Sequence, residues 1–313
     1  MQSAFTVFMV RPASFGFNAE TAPSNSFQQL IAGQTPAVLQ ARALAEFDAA
    51  VAQLRAHGMR VLIFDDLATP ACPDAVFPNN WVSLHADGRV LLYPMCAPNR
   101  RPERRPDIVA ALAQEFVVTE LVDFGVWEQQ AVFLEGTGSI IFDHEHRVAY
   151  AGLSPRTDAG LLAEVCARLD YRPVLFRAQD VQGQEIYHTN VLMSVGPGFA
   201  VVCLESIRDA AERAAVVLSL QETGHELVDI SLAQVARFAG NMLALQPAGG
   251  PALLALSQSA HDILTPAQRQ TLSTYAKLLP LPIPTIETVG GGSVRCMLAE
   301  VFLPEQAQTG SAG

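Results

Sequence analysis

The sequence predicts an α/β fold in one domain, built from five strand–strand–helix–strand units set around an axis. Three observations predict it. Hairpin patterns recur along the chain, helical patterns separate them, and the hairpin starts keep a near-constant period. Those starts fall at Asn80, Ser139, Asn190, Asn241 and Ser293, with successive separations of 59, 51, 51 and 52 residues. A self-similar period of that size marks stacked or radially arranged units.

Each element follows from local chemistry. "NNWVSLHADGRVLLYPM", "GSIIFDHEHRVAYAGLSPRT", "TNVLMSVGPGFAVVCLES" and "GNMLALQPAGGPALLALSQS" each place two apolar runs around a tight turn. The turns fall at Asp87-Gly88, His144–His146, Gly196-Pro197-Gly198 and Gly249-Gly250. Such turn residues between short apolar runs are hairpin signals. "TPAVLQARALAEFDAAVAQLRAHG", "RRPDIVAALAQEF", "TDAGLLAEVCARL", "SIRDAAERAAVVLSLQETG" and "TPAQRQTLSTYAKL" carry apolar residues at helical spacing. The strands "RVLIF", "RPVLF" and "HELVDI" follow three of these helices. The N-terminal strand "FTVFMVRP" has no hairpin partner of its own. It is expected to complete the last unit, whose strands "SVRCMLAEVFL" lack a following helix. Joining the two termini in that way removes an exposed sheet edge. Residues 1–304 read as the domain and 305–313, "EQAQTGSAG", as a disordered tail.

Composition narrows the partners. Half of the 313 residues are hydrophobic and 16% are charged, enough apolar material for a sizeable core. The net charge of −11 argues against nucleic acid and anionic membranes as partners. No apolar run approaches the roughly 18 residues of a membrane span. "MQSAFTVFMVRP" lacks the marks of a secretory signal. The cysteines, Cys72, Cys96, Cys166, Cys203 and Cys296, are scattered and unpaired in pattern. Reduced thiols in a cytoplasm are expected, with no structural zinc and no cofactor.

Units around an axis bring the hairpin starts together. That gathers Asn79, Asn80, Glu135, His188, Asn190, Asn241, Arg295 and Cys296. A thiol, an imidazole, a carboxylate and several amides form the set that nucleophilic catalysis uses. Singly, each residue has a bland role: Cys296 a buried apolar side chain, His188 a satisfied core histidine, Glu135 a turn carboxylate, the asparagines caps. Their joint position favours chemistry. "DHEHR", Asp143 to Arg147, resembles a metal motif but reads as a solvated hairpin tip. "EGTGS" is weak as a dinucleotide site because it opens a hairpin. The run "RRPERR", Arg100 to Arg105, and Arg156 in "SPRTD" contain guanidinia suited to gripping a carboxylate.

Glu135-Gly136, His188-x-Asn190 and the glycine-rich approach to Cys296 resemble the guanidine-modifying superfamily of amidinotransferases, arginine deiminases and dimethylarginine hydrolases. The resemblance spans most of the chain. It implies a five-bladed α/β propeller, the pentein fold. It also implies a covalent mechanism in which Cys296 attacks, His188 shuttles protons, and Glu135 binds substrate nitrogen and sets the histidine. Arg156, and less securely Arg100, take the place of arginines that hold a substrate carboxylate. No cofactor is implied, the partner is a small amino-acid substrate, and a homodimer is the habit of such folds. One departure matters. Deiminases commonly carry aspartates where this chain has Asn80 and Asn190. An amide offers a donor and an acceptor, which complements a neutral ureido group better than a guanidinium. The pattern is similar to the citrulline-utilisation branch, so a citrulline ureidase giving ornithine, CO2 and ammonia is expected. An arginine or methylarginine deiminase or amidinotransferase, and a non-catalytic amino-acid-binding protein, are the competing readings.

Overall fold

The computed structural model describes residues 1–307. The chain begins with β1 (Thr6–Arg11), α1 (Pro36–Ala56) and β2 (Arg60–Asp65). Thr35 caps α1 by accepting from the Val38 N–H, and Pro36 occupies its first turn. Proline suits that position because its missing N–H has no helical partner there. Leu39, Ala43, Phe47, Ala50, Val51 and Leu54 form the buried stripe of α1. Burying each large member of that stripe contributes roughly 1.5–3 kcal/mol.

The second unit is β3 (Val82–Leu84), β4 (Arg89–Leu92), α2 (Pro106–Glu115) and β5 (Glu120–Asp123). The third opens with a helical turn, α3 (Gly136–Ser139), then β6 (Ile141–Asp143), β7 (Val148–Leu153), α4 (Ala159–Leu169) and β8 (Arg172–Arg177). The fourth is β9 (Met193–Gly196), β10 (Phe199–Val202), α5 (Ala210–Glu222) and β11 (Glu226–Asp229). After the short α6 (Leu232–Val235), the fifth is β12 (Leu243–Leu245), β13 (Leu253–Ser257), α7 (Gln258–Ile263), α8 (Pro266–Tyr275) and β14 (Lys277–Leu281). The chain closes with a turn, α9 (Val294–Met297), and β15 (Ala299–Val301).

The pairing repeats. In the four internal units the first strand runs antiparallel to the second, and the third parallel to the second. β15 supplies the missing first strand to β1, with Thr6 opposite Val301, and β2 runs parallel to β1. β15 also pairs with β3 through Val301 and Leu84. Two units therefore share one six-stranded sheet, β2-β1-β15-β3-β4-β5. β6 lies against β9 and β9 against β12, and Ala4 bridges to Leu245 at the end of β12.

Three expectations change. The hairpin starts are helical turns rather than strand ends: Pro78–Asn80, α3, Thr189–Val191 and α9. In particular, Cys296 lies in α9, where a strand was expected. The Cys296 N–H donates to Ser293 O, and the tight turn presents successive side chains on different sides. Glu305 and Gln306, expected in the disordered tail, are also held against the domain. Glu305 bridges to Phe116 and Gln306 donates to Ala113 O, while residues 308–313 lie outside the described residues. Finally, the tip at Asp143 is not all solvated. Asp143 is fully buried and accepts from the His146 backbone N–H, with the His146 ring nitrogen Nδ1 beside it. No helix among the described residues is long and apolar enough to cross a membrane.

Candidate active site

Cys296, His188, Asn80, Arg100 and Arg156 line one cleft with Asn25, Asp74, Phe77, Tyr187 and Gly290–Gly292. Glu135 and Asn190 join through direct hydrogen bonds to members of this set. Cys296, His188, Glu135, Asn80, Asn190, Arg100 and Arg156 thus converge; the first five are carried by the turns that precede the first strands, and the two arginines by the loops after β4 and β7.

The glycines make room. The backbone at Gly290–Gly292 passes between the Phe77 ring and the loop at Asn25 and Gln28. A Cβ at Gly290 or Gly292 would lie 2.9 Å from Phe77, and one at Gly291 2.5 Å from Gln28. Gly291 also takes φ +64°, which L side chains rarely adopt. Its carbonyl accepts from the Tyr187 hydroxyl at 2.6 Å and from Asn25 Nδ2 at 3.2 Å.

Around the sulfur, Asn190 Nδ2 and Asn241 Nδ2 both donate to Cys296 Sγ at 3.3 Å. Two N–H donors aimed at sulfur stabilise negative charge on it. Asn241 is fixed in turn, because its Oδ1 accepts from the Arg295 N–H and its Nδ2 also donates to Asn190 O. The Arg295 guanidinium faces away, onto Leu298 O and Glu300. Although Arg295 precedes Cys296 in the sequence, its charge is directed away from the thiol.

His188 Nε2 lies 2.8 Å from Glu135 Oε2. Burial opposes the Glu135 charge, but Arg156, His188 and Arg100 outweigh it and hold this carboxyl well below its usual range. An ionised carboxylate only accepts, so His188 carries its proton on Nε2 and leaves the Nδ1 lone pair free. Burial pushes His188 down to about 4, against the pull of Glu135. It rests as a neutral imidazole able to take a proton. Gly138 packs so close that a Cβ there would lie 2.7 Å from His188 Nδ1.

Both candidate carboxylate-binding arginines reach the pocket wall, but protein groups occupy their donors. Arg100 grips Glu103 with Nε and Nη2, at 2.9 and 2.8 Å, and Asn80 Oδ1 with Nη1 at 2.9 Å. Arg156 donates to Ser24 Oγ and Thr21 O and stacks 4.9 Å over Tyr187. Both arginines build the site wall, and Arg156 ties down the segment around Thr21 and Ser24. The sequence offered no signal for that segment, for Asp74 or for Tyr187; Asn241 was among the gathered amides, with no role of its own.

Three buried polar atoms here lack any protein partner: Asp74 Oδ1, Asn80 Nδ2 and Asn190 Oδ1. An unmade hydrogen bond costs about 1–3 kcal/mol each. One donor and two acceptors therefore wait on a ligand beside a thiol. Larger cavities lie elsewhere, including one of ≈ 570 Å³ beside His85, His144 and Tyr171. That cavity holds no such nucleophile.

No curated protein matches the sequence. Among solved structures, the chain is similar to the substrate-bound N-terminal domain of ArgZ, an arginine dihydrolase from the ornithine-ammonia cycle in Cyanobacteria. Identity is 18%, covering 96% of this chain and 98% of that one, with a TM-score of 0.73. It is similar to AgrE in complex with L-arginine at 16% identity, covering 97% of this chain and 41% of that one, TM-score 0.73. It also resembles a dimethylarginine dimethylaminohydrolase adduct with S-methyl-L-thiocitrulline at 14% identity, covering 96% and 100%, TM-score 0.64. The chain spans the ArgZ N-terminal domain but about two fifths of whole ArgZ and AgrE. Residues 11–303 match the family described as N,N dimethylarginine dimethylhydrolase, eukaryotic. The chain therefore belongs to that family, within the guanidine-modifying superfamily, and is a hydrolase of carbon–nitrogen bonds other than peptide bonds.

Proposed function

We infer that this protein hydrolyses the ureido C–N bond of citrulline, or of a closely related N-carbamoyl amine, through a covalent intermediate on Cys296. One observation carries the choice of substrate: the Arg100 guanidinium donates to Asn80 Oδ1. Arginine has donors only, so Asn80 must turn its oxygen to Arg100 and its Nδ2 away. An unpaired donor beside the thiol suits a ureido carbonyl and meets only N–H groups in a guanidinium. Asn190 Oδ1 and Asp74 Oδ1 are then acceptors for the ureido N–H groups.

In this reading His188 Nδ1 takes the thiol proton, and Cys296 Sγ attacks the ureido carbon. Asn80 Nδ2 donates to the oxygen as negative charge grows there, the role of an oxyanion donor. His188 returns the proton to the leaving amine as the C–N bond breaks, giving ornithine and an S-carbamoyl enzyme. His188 next takes a proton from water. The hydroxide adds to the carbamoyl carbon and the thiolate departs. The carbamic acid released decays to CO2 and ammonia. Glu135 holds His188 in the required tautomer throughout.

A second reading, hydrolysis of arginine or a methylated arginine, draws on Asp74. Its unpaired Oδ1 could face a guanidinium, and ArgZ is named an arginine dihydrolase. A third reading, binding without turnover, leaves the Glu135–His188–Cys296 arrangement without a purpose. Ammonia and ornithine release from citrulline, arginine and methylarginines, with Cys296→Ser as control, separates the three. The same reading sets the five units as a closed five-bladed propeller, supported by the β15–β3 pair and the Ala4–Leu245 bridge.

A further inference from the structure

At the far end of β6 from Glu135, three side chains from two units meet. Asp143 ends β6, His146 lies in the following turn, and His225 immediately precedes β11. Their ligating atoms all lie within 4.8 Å of one another. Asp143 Oδ2 is 2.9 Å from His146 Nδ1 and 3.8 Å from His225 Nε2.

Hydrogen bonding supports one tautomer of His225. The Thr223 hydroxyl lies 3.0 Å from Ser219 O and 3.1 Å from Leu220 O, and the same oxygen lies 2.8 Å from His225 Nδ1. With the hydroxyl proton on either carbonyl, Thr223 accepts from Nδ1–H, and the Nε2 lone pair of His225 is left for a ligand on the Asp143 side. The His225 side chain is 2% exposed, and the 3.8 Å from Nε2 to Asp143 is too long for a hydrogen bond. No direct bond therefore occupies that nitrogen, and a cation between the two groups would engage both.

We propose that Asp143, His146 and His225 form a binding site for a divalent transition-metal cation of the Zn2+ type. Two imidazoles and one carboxylate are ligands that zinc accepts. Tetrahedral ligands at about 2.1 Å from zinc lie about 3.4 Å apart. The observed 2.9 and 3.8 Å bracket that spacing. The Thr223 bond on the remote nitrogen of His225 is the outer support typical of a metal-bound imidazole. The remaining positions are open to water, because His146 stays on the surface. The ion would fasten the β6–β7 turn of the third unit to the α5–β11 corner of the fourth. Its effect is on stability, since the hairpin starts with Cys296 lie at the other end.

The experiment is calorimetric titration of Zn2+ into chelator-treated, full-length protein carrying Cys296→Ser, which removes the competing thiol. His146→Ala and His225→Gln are made in the same background. One Zn2+ per chain is expected, weakened more than about tenfold in each histidine variant. The thermal midpoint should rise with Zn2+ in the parent and not in His146→Ala, as for any ligand that binds only the folded state. His146 is exposed, so His146→Ala keeps the test valid if His225→Gln fails to fold. Absence of Zn2+ binding, or binding undiminished by His146→Ala, overturns the proposal. Co2+ substitution showing sulfur-to-metal charge transfer would place the ion on a cysteine and overturn it as well.

Discussion

Arg100 Nη1 donates to Asn80 Oδ1 at 2.9 Å, and this bond determines which end of the Asn80 amide faces the thiol. Because Arg100 is itself locked on Glu103, the amide cannot turn over without leaving a buried guanidinium N–H unpaired. Asn80→Asp removes the donor and adds a charge. Activity on citrulline should fall by roughly 10- to 100-fold, the equivalent of about 1.5–3 kcal/mol for a hydrogen bond to a developing charge. Any activity on arginine should rise. Parallel measurements of kcat/KM on the two substrates check both directions.

Gly138 provides a purely steric test. A Cβ there would lie 2.4 Å from Asn80 Nδ2 and 2.7 Å from His188 Nδ1. Gly138→Ala should displace both side chains and lower kcat by at least 100-fold. Overpacking of this kind typically costs about 1–3 kcal/mol, so the protein should remain folded. Circular dichroism and kcat together make the check.

Much of this was legible in the sequence, for identifiable reasons. The units showed because turn residues and apolar runs recur at a fixed period, and the hairpin starts led directly to Glu135, His188, Asn190 and Cys296. The helical turns before the strands were not legible, since Val294–Met297 has the composition of a strand and its shape comes from the glycines before it. The protein partners of the arginines were not legible because they are set by tertiary contacts. Arg156 meets Ser24 and Thr21 from more than a hundred residues away. Arg100 had a readable clue, Glu103 three residues on in the same run.

Arg156 separates two roles. If it clamps the Asn18–Gln28 segment, Arg156→Ala should increase amide hydrogen exchange between Thr21 and Gln28 in the absence of substrate. It should also weaken the hold on Glu135. A variant that raises KM alone and leaves exchange unchanged supports the carboxylate-binding role instead. Exchange mass spectrometry on the free protein provides the measurement.

The buried histidine gives stability a pH dependence of known sign. His188 stands at about 4 when folded and near 6.5 when unfolded. Between those values the unfolded chain binds more protons, so stability rises with pH across that window. The contribution is complete above about pH 6.5 and is lost as pH falls toward 4. It amounts to about 3 kcal/mol. Glu135, held low, adds a loss of the same sign at lower pH. Denaturant unfolding of the wild type should weaken more steeply than that of His188→Gln between pH 6.5 and 4.

The central claim is that the thiol of Cys296 attacks a neutral ureido carbon. Its most direct test is steady-state turnover of citrulline and arginine by the same preparation, with ornithine, citrulline and ammonia all quantified. The account predicts ornithine and ammonia from citrulline, a higher kcat/KM for citrulline than for arginine, and no turnover by Cys296→Ser. Efficient turnover of arginine with citrulline left inert would contradict it.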